Sequence, residues 1–123
     1  MNYNFDNERP IYLQIIDIIK NQIISGTLKP EDKLPSVREL ALTFKVNPNT
    51  IVKSLYFLEN EGLIFTDRTN GKFITSDLNL IKKNKEFIAK QRINTFFIDM
   101  EKMGYSKEEV LNFLIKEQAN GRV

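Results

Sequence analysis

Three polar side chains at the start of one predicted helix have the chemistry that reads the edges of nucleic-acid bases. Asn49, Thr50 and Lys53 lie in the first turn and a half after Pro48. Amide, hydroxyl and ammonium groups are donors and acceptors that can pair with bases in the major groove of duplex DNA. Most polar residues at a helix start are an ordinary solvated face, so these three residues alone do not decide between the two interpretations.

The helix that carries these residues has clear start and stop signals. Asn47 suits the capping position, Pro48 suits the first helical position, and Gly62 suits the left-handed residue that ends a helix. An apolar stripe at helical spacing is predicted to face the core, and it consists of Ile51, Leu55 and Leu58 with the small Ser54 between them. The polar residues of the first turn are therefore predicted to point away from the core.

A second, shorter helix pattern precedes it after a tight break at Lys45 and Val46. Ser36 and Glu39 have the spacing of a capping box, and an apolar face follows at Val37, Leu40, Ala41 and Phe44. Two short helices joined in this way form a helix-turn-helix, whose second helix places its first residues nearest the base edges. Arg38, on the exposed side of the first of these helices, is either a contact to DNA or an ordinary surface charge.

The flanking segments complete a small domain. Residues 10–25 predict a helix whose apolar side consists of Tyr12, Ile15, Ile16, Ile19 and Ile23. It follows an N-terminal arm (residues 1–9) that we expect to be loosely ordered. Residues 63–66 and 72–75 predict two strands around a turn-rich loop, which makes a hairpin. Arg68, Gly71 and Lys72 on this hairpin are candidates for contacts to phosphate or the minor groove; the alternative is a plain hairpin with solvated charges.

The pattern changes from Asp77 onwards. Apolar residues spaced four, three, four and three apart, from Ala89 to Met103, predict a helix with a seam of coiled-coil type, and Gly104 ends it. Ser106 and Glu109 then predict a capping box for a last helix that is apolar around most of its circumference. Two helices cannot bury this much apolar surface alone. We expect a two-fold homodimer through Ile93, Phe96, Phe97, Met100, Met103, Leu111 and Leu114. Folding back as a monomer and lining a ligand pocket are the alternatives.

Composition limits the classes of function. The 123 residues contain no cysteine and no histidine, which removes thiolate metal sites, thiol nucleophiles and the usual general base. The chain also has no phosphate-cradling glycine-rich loop and no convincing pair of carboxylates. We therefore expect no enzyme, no cofactor and no metal. No apolar run has the length of a membrane span and the polar N-terminus is no signal peptide, so we expect a cytoplasmic protein.

Net charge gives no support to a nucleic-acid function. Residues 1–76 contain nine Lys or Arg and nine Asp or Glu, although the whole chain has a net charge of +2. Any affinity for phosphate must therefore come from the local placement of cations.

Several ordered sequence blocks resemble one family of bacterial transcription regulators. PIYLQI, SGTLKPEDKLPSVRELA, VNPNTIVKSLYFLENEGLI and GKFI occur in this order within residues 10–74. They are similar to the N-terminal winged helix-turn-helix domain of the GntR family, and the short tail resembles its YtrA-type branch. Two residues depart from the family pattern, because Glu31 and Thr69 each stand where the family usually has glycine.

The resemblance implies a complete account of fold and function. The fold is mainly α, with a winged helix-turn-helix of three helices plus a β-hairpin wing (residues 1–76), followed by a two-helix C-terminal dimerisation segment (residues 77–123). The function implied is a repressor that binds a pseudo-palindromic operator in double-stranded DNA as a homodimer, often near transporter operons. A tail this short implies no dedicated effector domain and no pyridoxal phosphate, and any small-molecule effector is unknown. The DNA contacts predicted are Ser36, Arg38, Asn47, Asn49, Thr50, Lys53, Arg68, Gly71 and Lys72.

A different class of function is compatible with the same fold. A winged helix can serve as a protein-interaction module, with Val52, Tyr56 and Phe57 as an exposed docking patch and no specific binding to DNA. Salt-dependent binding to DNA separates the two classes.

Overall fold

Five helices and one hairpin follow each other in the computed structural model, which describes residues 3–123. The helices are α1 (Ile11–Ile24), α2 (Val37–Phe44), α3 (Pro48–Asn60), α4 (Leu78–Lys102) and α5 (Lys107–Ala119). The strands β1 (Ile64–Asp67) and β2 (Gly71–Ile74) lie between α3 and α4. The predicted mainly helical fold with a winged helix-turn-helix is confirmed.

The local signals in the sequence produce the predicted caps. The hydroxyl of Ser36 accepts the backbone N–H of Glu39 at 3.1 Å, and the Glu39 carboxylate accepts the N–H of Ser36 at 3.2 Å. Lys45 ends α2 in the left-handed conformation with φ of 57°. Asn47 then caps the start of α3, because its side-chain oxygen accepts the backbone N–H of Asn49 at 2.8 Å.

One hydrophobic core holds the helix-turn-helix. The inward stripe of α3 is fully buried as predicted, and it packs against the apolar side of α1 and against α2. The buried hydrophobic residues of this core are Ile15, Ile16, Ile19, Ile23, Leu34, Leu40, Ala41, Phe44, Ile51, Leu55, Leu58, Leu63, Ile64 and Ile74. Burial of so many aliphatic side chains fixes the orientation of α3, and with it the direction of its exposed face.

The hairpin is antiparallel, and each strand lies one residue nearer the loop than predicted. Asp67 pairs with Gly71, so the loop between the strands is only three residues long. A third extended segment, which the sequence patterns did not predict, lies beside β2. Lys33 pairs with Phe73 in an antiparallel bridge, and the backbone N–H of Leu34 donates to the carbonyl of Lys72 at 2.8 Å. The turn before α2 is therefore attached to the wing.

The N-terminal arm is ordered by contacts with the core. The ring centroids of Tyr3 and Phe5 lie 4.6 Å and 6.3 Å from the ring centroid of Phe44. The side-chain amide of Gln14 also donates to the backbone carbonyls of Asp6 and Arg9. The expectation of a loosely ordered arm is wrong for residues 3–9, because its two aromatic side chains find apolar partners. Met1 and Asn2 lie outside the described residues.

The chain divides into two compact units. The first ends at Asn84 and includes the first turns of α4, where Leu80 and Ile81 pack against the core. The second comprises Lys85–Val123 and buries one hydrophobic side chain, Val110. The predicted functional division after residue 76 stays a prediction. Within residues 3–123, no helix combines the length and apolar character that crossing a membrane requires.

Candidate nucleic-acid interface

The start of α3 brings the predicted base-reading residues together. Asn49, Thr50 and Lys53 line a shallow groove of about 370 Å³, together with Ile11 and Tyr12 from the first turn of α1. Asn49 and Lys53 are exposed and Thr50 is half-buried. The opposite side of the same helix is buried in the core, so this polar surface has a fixed direction.

Lys53 rests on an aromatic ring that sequence patterns assigned only to the apolar side of α1. Its ammonium nitrogen lies 3.9 Å from the centroid of the Tyr12 ring. The same ring stacks on Phe57 with centroids 5.7 Å apart, and the hydroxyl of Ser54 donates to the Tyr12 carbonyl at 2.9 Å. Tyr12 is thus held by α3 through both its backbone and its ring. The sequence offered one signal for this contact, because Tyr12 is the aromatic residue at the edge of an otherwise aliphatic stripe.

The capping box at α2 engages groups that the sequence assigned to DNA. The N–H and hydroxyl of Ser36 both bond to Glu39, and the backbone hydrogen bond from Ser36 is the main cause that lowers the pKa of the Glu39 carboxyl. Arg38 is exposed and forms no ion pair within the described part of the chain. The carboxamide oxygen of Asn47 caps α3, which leaves its NH2 group available.

The wing loop is organised by one carboxylate. Asp67 accepts the hydroxyl of Thr69 at 2.8 Å, the backbone N–H of Thr69 at 3.0 Å and the side-chain amide of Asn70 at 3.2 Å. These bonds, that of the Thr69 hydroxyl first, lower the pKa of Asp67. Thr69 does not have a positive φ, so the family's glycine is not required there, whereas Gly71 has φ of 107°. Arg68 is exposed in this loop.

Lys72 is held within the protein. Its ammonium donates to the hydroxyl of Thr66 at 2.7 Å and to the carboxylate of Glu59 at 3.2 Å. Thr66 in turn donates to Glu59 at 2.7 Å, and this bond is the first cause that lowers the pKa of Glu59. The three side chains join the last turns of α3 to both strands of the wing. Lys72 therefore reaches a phosphate only by leaving Glu59.

Lys33 is a cation beside the candidate interface that the sequence patterns did not single out. Its side-chain Cε lies 3.3 Å from the position that a Cβ on Gly71 would occupy. Its charge also contributes to lowering the pKa of Glu39 at the start of α2. Lys33 thus lies between α2 and the wing. Lys33 lies there because its backbone pairs with β2, a tertiary contact that local sequence spacing does not predict.

Residues 1–76 have no net charge but still present free cations, because most of their acids are engaged within the protein. Three of their nine cations form ion pairs: Arg9 with Asp17, Lys20 with Glu61 and Lys72 with Glu59. Four of the remaining acids accept backbone N–H groups at turns or caps, namely Asp6, Asp32, Glu39 and Asp67. Among the described residues, six cations of this segment have no ion pair: Lys29, Lys33, Arg38, Lys45, Lys53 and Arg68.

No cluster of acidic side chains suggests a metal site. Within residues 3–123, no group of three or more Asp or Glu side chains is placed to hold an ion. The interface consists of cations, amides and hydroxyls around α3, α2 and the wing, a combination suited to contacts with phosphate and base edges.

A helix-turn-helix followed by a hairpin, with a polar start to its second helix, defines the winged helix-turn-helix class of DNA-binding proteins. The chain belongs to the GntR family: residues 11–74 match the family described as bacterial regulatory proteins, gntR family.

Curated relatives cover almost the full chain. The uncharacterized HTH-type transcriptional regulator YhcF of Bacillus subtilis is 39% identical over 111 residues, which are 90% of this chain and 92% of the relative. The HTH-type transcriptional repressor YtrA of the same organism is 40% identical over 109 residues, 88% of this chain and 83% of the relative. The resemblance to the YtrA-type branch is confirmed.

Solved structures agree with this assignment. A GntR family transcriptional regulator from Listeria monocytogenes has a TM-score of 0.84 and 41% identity, and the match covers 91% of this chain and 98% of that one. The DNA-binding domain of AraR in complex with operator ORX1 has a TM-score of 0.54 and 28% identity, over 61% of this chain and 92% of that one. The chain is therefore a DNA-binding transcription regulator with a winged helix-turn-helix, and its relatives are regulators rather than enzymes.

Proposed function

We propose that this protein is a homodimeric repressor that binds a pseudo-palindromic operator in double-stranded DNA. One observation carries the proposal: the start of α3 presents Asn49, Thr50 and Lys53 on one exposed groove, while its other side is fixed in the core. A recognition helix enters the major groove with these first residues nearest the bases. Binding to the chromosome implies a cytoplasmic location.

In this proposal Asn49, Thr50 and Lys53 read base edges, and the remaining contacts set register on the phosphates. Arg38 and the NH2 group of Asn47 reach phosphates beside the groove. Ser36 acts chiefly by fixing the start of α2, because both its polar groups are engaged with Glu39.

The wing supplies the contacts to the flanking groove. Arg68 and the backbone at Gly71 approach the DNA, and we add Lys33, whose side chain lies against Gly71. Lys72 has the smaller share, since its ammonium must first leave Glu59 and Thr66.

Dimerisation rests on the apolar side chains of the second unit. Ile93, Met103 and Leu111 are 55%, 66% and 51% exposed, although such residues are normally buried. A second copy of the same surface covers them at a two-fold interface, which presents two recognition helices to two half-sites. The proposed set is Ile93, Phe96, Phe97, Met100, Met103, Leu111 and Leu114.

Repression and the regulated genes are proposed from the relatives. YtrA of Bacillus subtilis, 40% identical, is named a transcriptional repressor. By the same resemblance we propose control of a transporter operon.

One observation supports a second function, that of a protein-docking module. Val52 and Tyr56, on the outer face of α3, are 52% and 59% exposed, as a protein-docking module would require. Phe57 is a weaker member of that patch, because its ring stacks on Tyr12.

Selection from a pool of random DNA duplexes tests the proposed function without knowledge of the operator. The full chain should enrich an inverted repeat, whose two halves correspond to the two subunits. A variant with Asn49, Thr50 and Lys53 all changed to Ala keeps the buried side of α3 and serves as the matched control. Enrichment of the same repeat by that variant, or of no repeat by the unmodified protein, would contradict the proposal.

A further inference from the structure

Lys53 has one described partner, and that partner comes from a different helix. Its ammonium lies 3.9 Å from the centroid of the Tyr12 ring, and it forms no ion pair within the described residues. A cation over the face of an aromatic ring is attracted by the negative electrostatic potential of that face. A lysine side chain otherwise moves among many rotamers, so this contact restricts the directions in which the ammonium points.

Tyr12 is itself held in place by α3, the helix that carries Lys53. Ser54 donates a hydrogen bond to its carbonyl at 2.9 Å, and Phe57 stacks on its ring. Lys53 and Phe57 are one helical turn apart on α3, so both meet the same ring. The ring and Lys53 also line the groove that contains Asn49 and Thr50.

We propose that Tyr12 is a positioning residue for base recognition, which holds the Lys53 ammonium above its ring and beside Asn49 and Thr50. This inference rests on the proposed function, since it concerns the same recognition helix. It assigns to α1 a part in sequence choice that does not depend on a direct contact between α1 and a base. The Tyr12 hydroxyl forms no hydrogen bond among those described, and it plays no part in holding the ammonium.

The test compares four variants with the unmodified protein on one operator, chosen by the selection described above. They are Tyr12→Leu, which removes the ring face, Tyr12→Phe, which keeps it, Lys53→Met and the double variant Tyr12→Leu/Lys53→Met. Affinity is measured by fluorescence anisotropy on the operator and on every single-base-pair change within one half-site. Thermal unfolding is recorded for each protein.

Loss of an exposed cation–ring contact corresponds to a change of about two- to five-fold in affinity. We expect Tyr12→Leu to weaken operator binding by that factor and Tyr12→Phe to match the unmodified protein. In the Lys53→Met background, Tyr12→Leu should cause no further loss. Tyr12→Leu and Lys53→Met should relax the preference at the same base pair, a result that a general loss of stability would not produce.

Three results would overturn the inference while the proposed function stands. The losses of Tyr12→Leu and Lys53→Met multiply in the double variant, or the two variants relax different base pairs, or Tyr12→Phe is as weak as Tyr12→Leu. The last result would assign the hydroxyl a direct contact to DNA. Failure of the unmodified protein to prefer the operator would instead overturn the proposed function itself.

Discussion

At the scale of the residue, the structure shows how a segment without net charge can bind a polyanion. Seven of the nine acids in residues 1–76 form ion pairs or accept backbone N–H groups at caps and turns, while Arg38 and Lys53 remain exposed and form no ion pair among the described residues. Net charge alone hides this arrangement, because it counts a capping carboxylate and a free carboxylate equally.

We expect Arg38→Ala and Lys53→Ala each to weaken operator binding and to leave folding and the oligomeric state unchanged. Both side chains are exposed, so truncation opens no cavity. Loss of a base contact by Lys53→Ala should cost about 1–3 kcal/mol and relax the preference at one position, whereas Arg38→Ala should weaken binding to all sequences and reduce the salt dependence. Titrations at several salt concentrations measure both effects. Lys116→Ala, in α5, is the control for charge, and loss of folding in either test variant would refute the assigned roles.

Glu31 is a residue whose substitution should stabilise the protein. Its φ of 69° is left-handed, which costs a residue with a side chain roughly 1–2 kcal/mol, while glycine loses about 0.5–1 kcal/mol of extra chain entropy on folding. The first cost is the larger at the middle of the two ranges, so Glu31→Gly should raise the free energy of unfolding by up to about 1.5 kcal/mol. Urea denaturation measures this. Glu31→Ala removes the same charge without relieving the backbone, and an equal gain in that variant would assign the effect to charge.

At the scale of the element, caps and stripes were predictable and tertiary pairs were not. Ser36 with Glu39 and Asn47 with Pro48 act within one turn of helix, so the sequence contains their full cause. The contact of Lys72 with Glu59 depends on how the hairpin packs beside α3. The contact between the Lys33 side chain and Gly71 depends on the backbone bridge from Lys33 to Phe73. Neither arrangement is present in local spacing.

The carboxylates of the wing and of its contact with α3 should make the protein less stable in acid. The pKa values of Asp67 and Glu59 are lowered in the folded protein by hydrogen bonds from Thr69 and Thr66, respectively. A lowered pKa means that each carboxylate stabilises the fold fully above its unfolded value, about 4, and that this stabilisation is lost as pH falls through the lower folded value. The free energy of unfolding should therefore fall as the pH is lowered from about 5 to about 3.

An NMR titration of the side-chain carboxyl carbon tests the cause at Asp67. Its midpoint should lie below that of an unfolded aspartate, and Thr69→Gly, which restores the residue usual in the family, should move the midpoint upward because the hydroxyl donor is lost. An unchanged midpoint in that variant would show that Thr69 does not cause the shift.

At the scale of the whole molecule, the sequence predicted the two helices of the second unit. It did not establish what covers their apolar side chains, because in the proposed dimer that contact is made by another molecule. The capping box of Ser106 and Glu109 and the stop at Gly104 appear as predicted. Apolar side chains such as Ile93 and Met103 remain exposed in one copy. The pattern of the sequence therefore identifies an apolar surface, and the oligomeric state in solution tests the second copy that is proposed to cover it.

Phe96→Glu should convert the proposed dimer to a monomer. The substitution places a charge within an apolar interface, where an unpaired charge is strongly disfavoured. Gln91→Glu adds the same charge on nearly the opposite side of α4, by helical geometry, and should leave the dimer intact. Sedimentation velocity measures the oligomeric state. A dimeric Phe96→Glu protein, or a monomeric unmodified protein, would exclude this interface.

Operator binding by Phe96→Glu should also weaken by more than about ten-fold, because two half-sites are no longer bound together. Its winged helix-turn-helix core should unfold at an unchanged temperature, since Phe96 lies in the other unit.

The most direct test of the central claim is the affinity of the unmodified full chain for its selected operator and for a scrambled duplex, each at two salt concentrations. A repressor of the proposed kind binds the operator at least about a thousand-fold more tightly than the scrambled duplex, with two chains per duplex and an affinity that falls as salt rises. Equal, weak binding to both duplexes would contradict the claim, and would make the exposed face of α3 a surface for another protein.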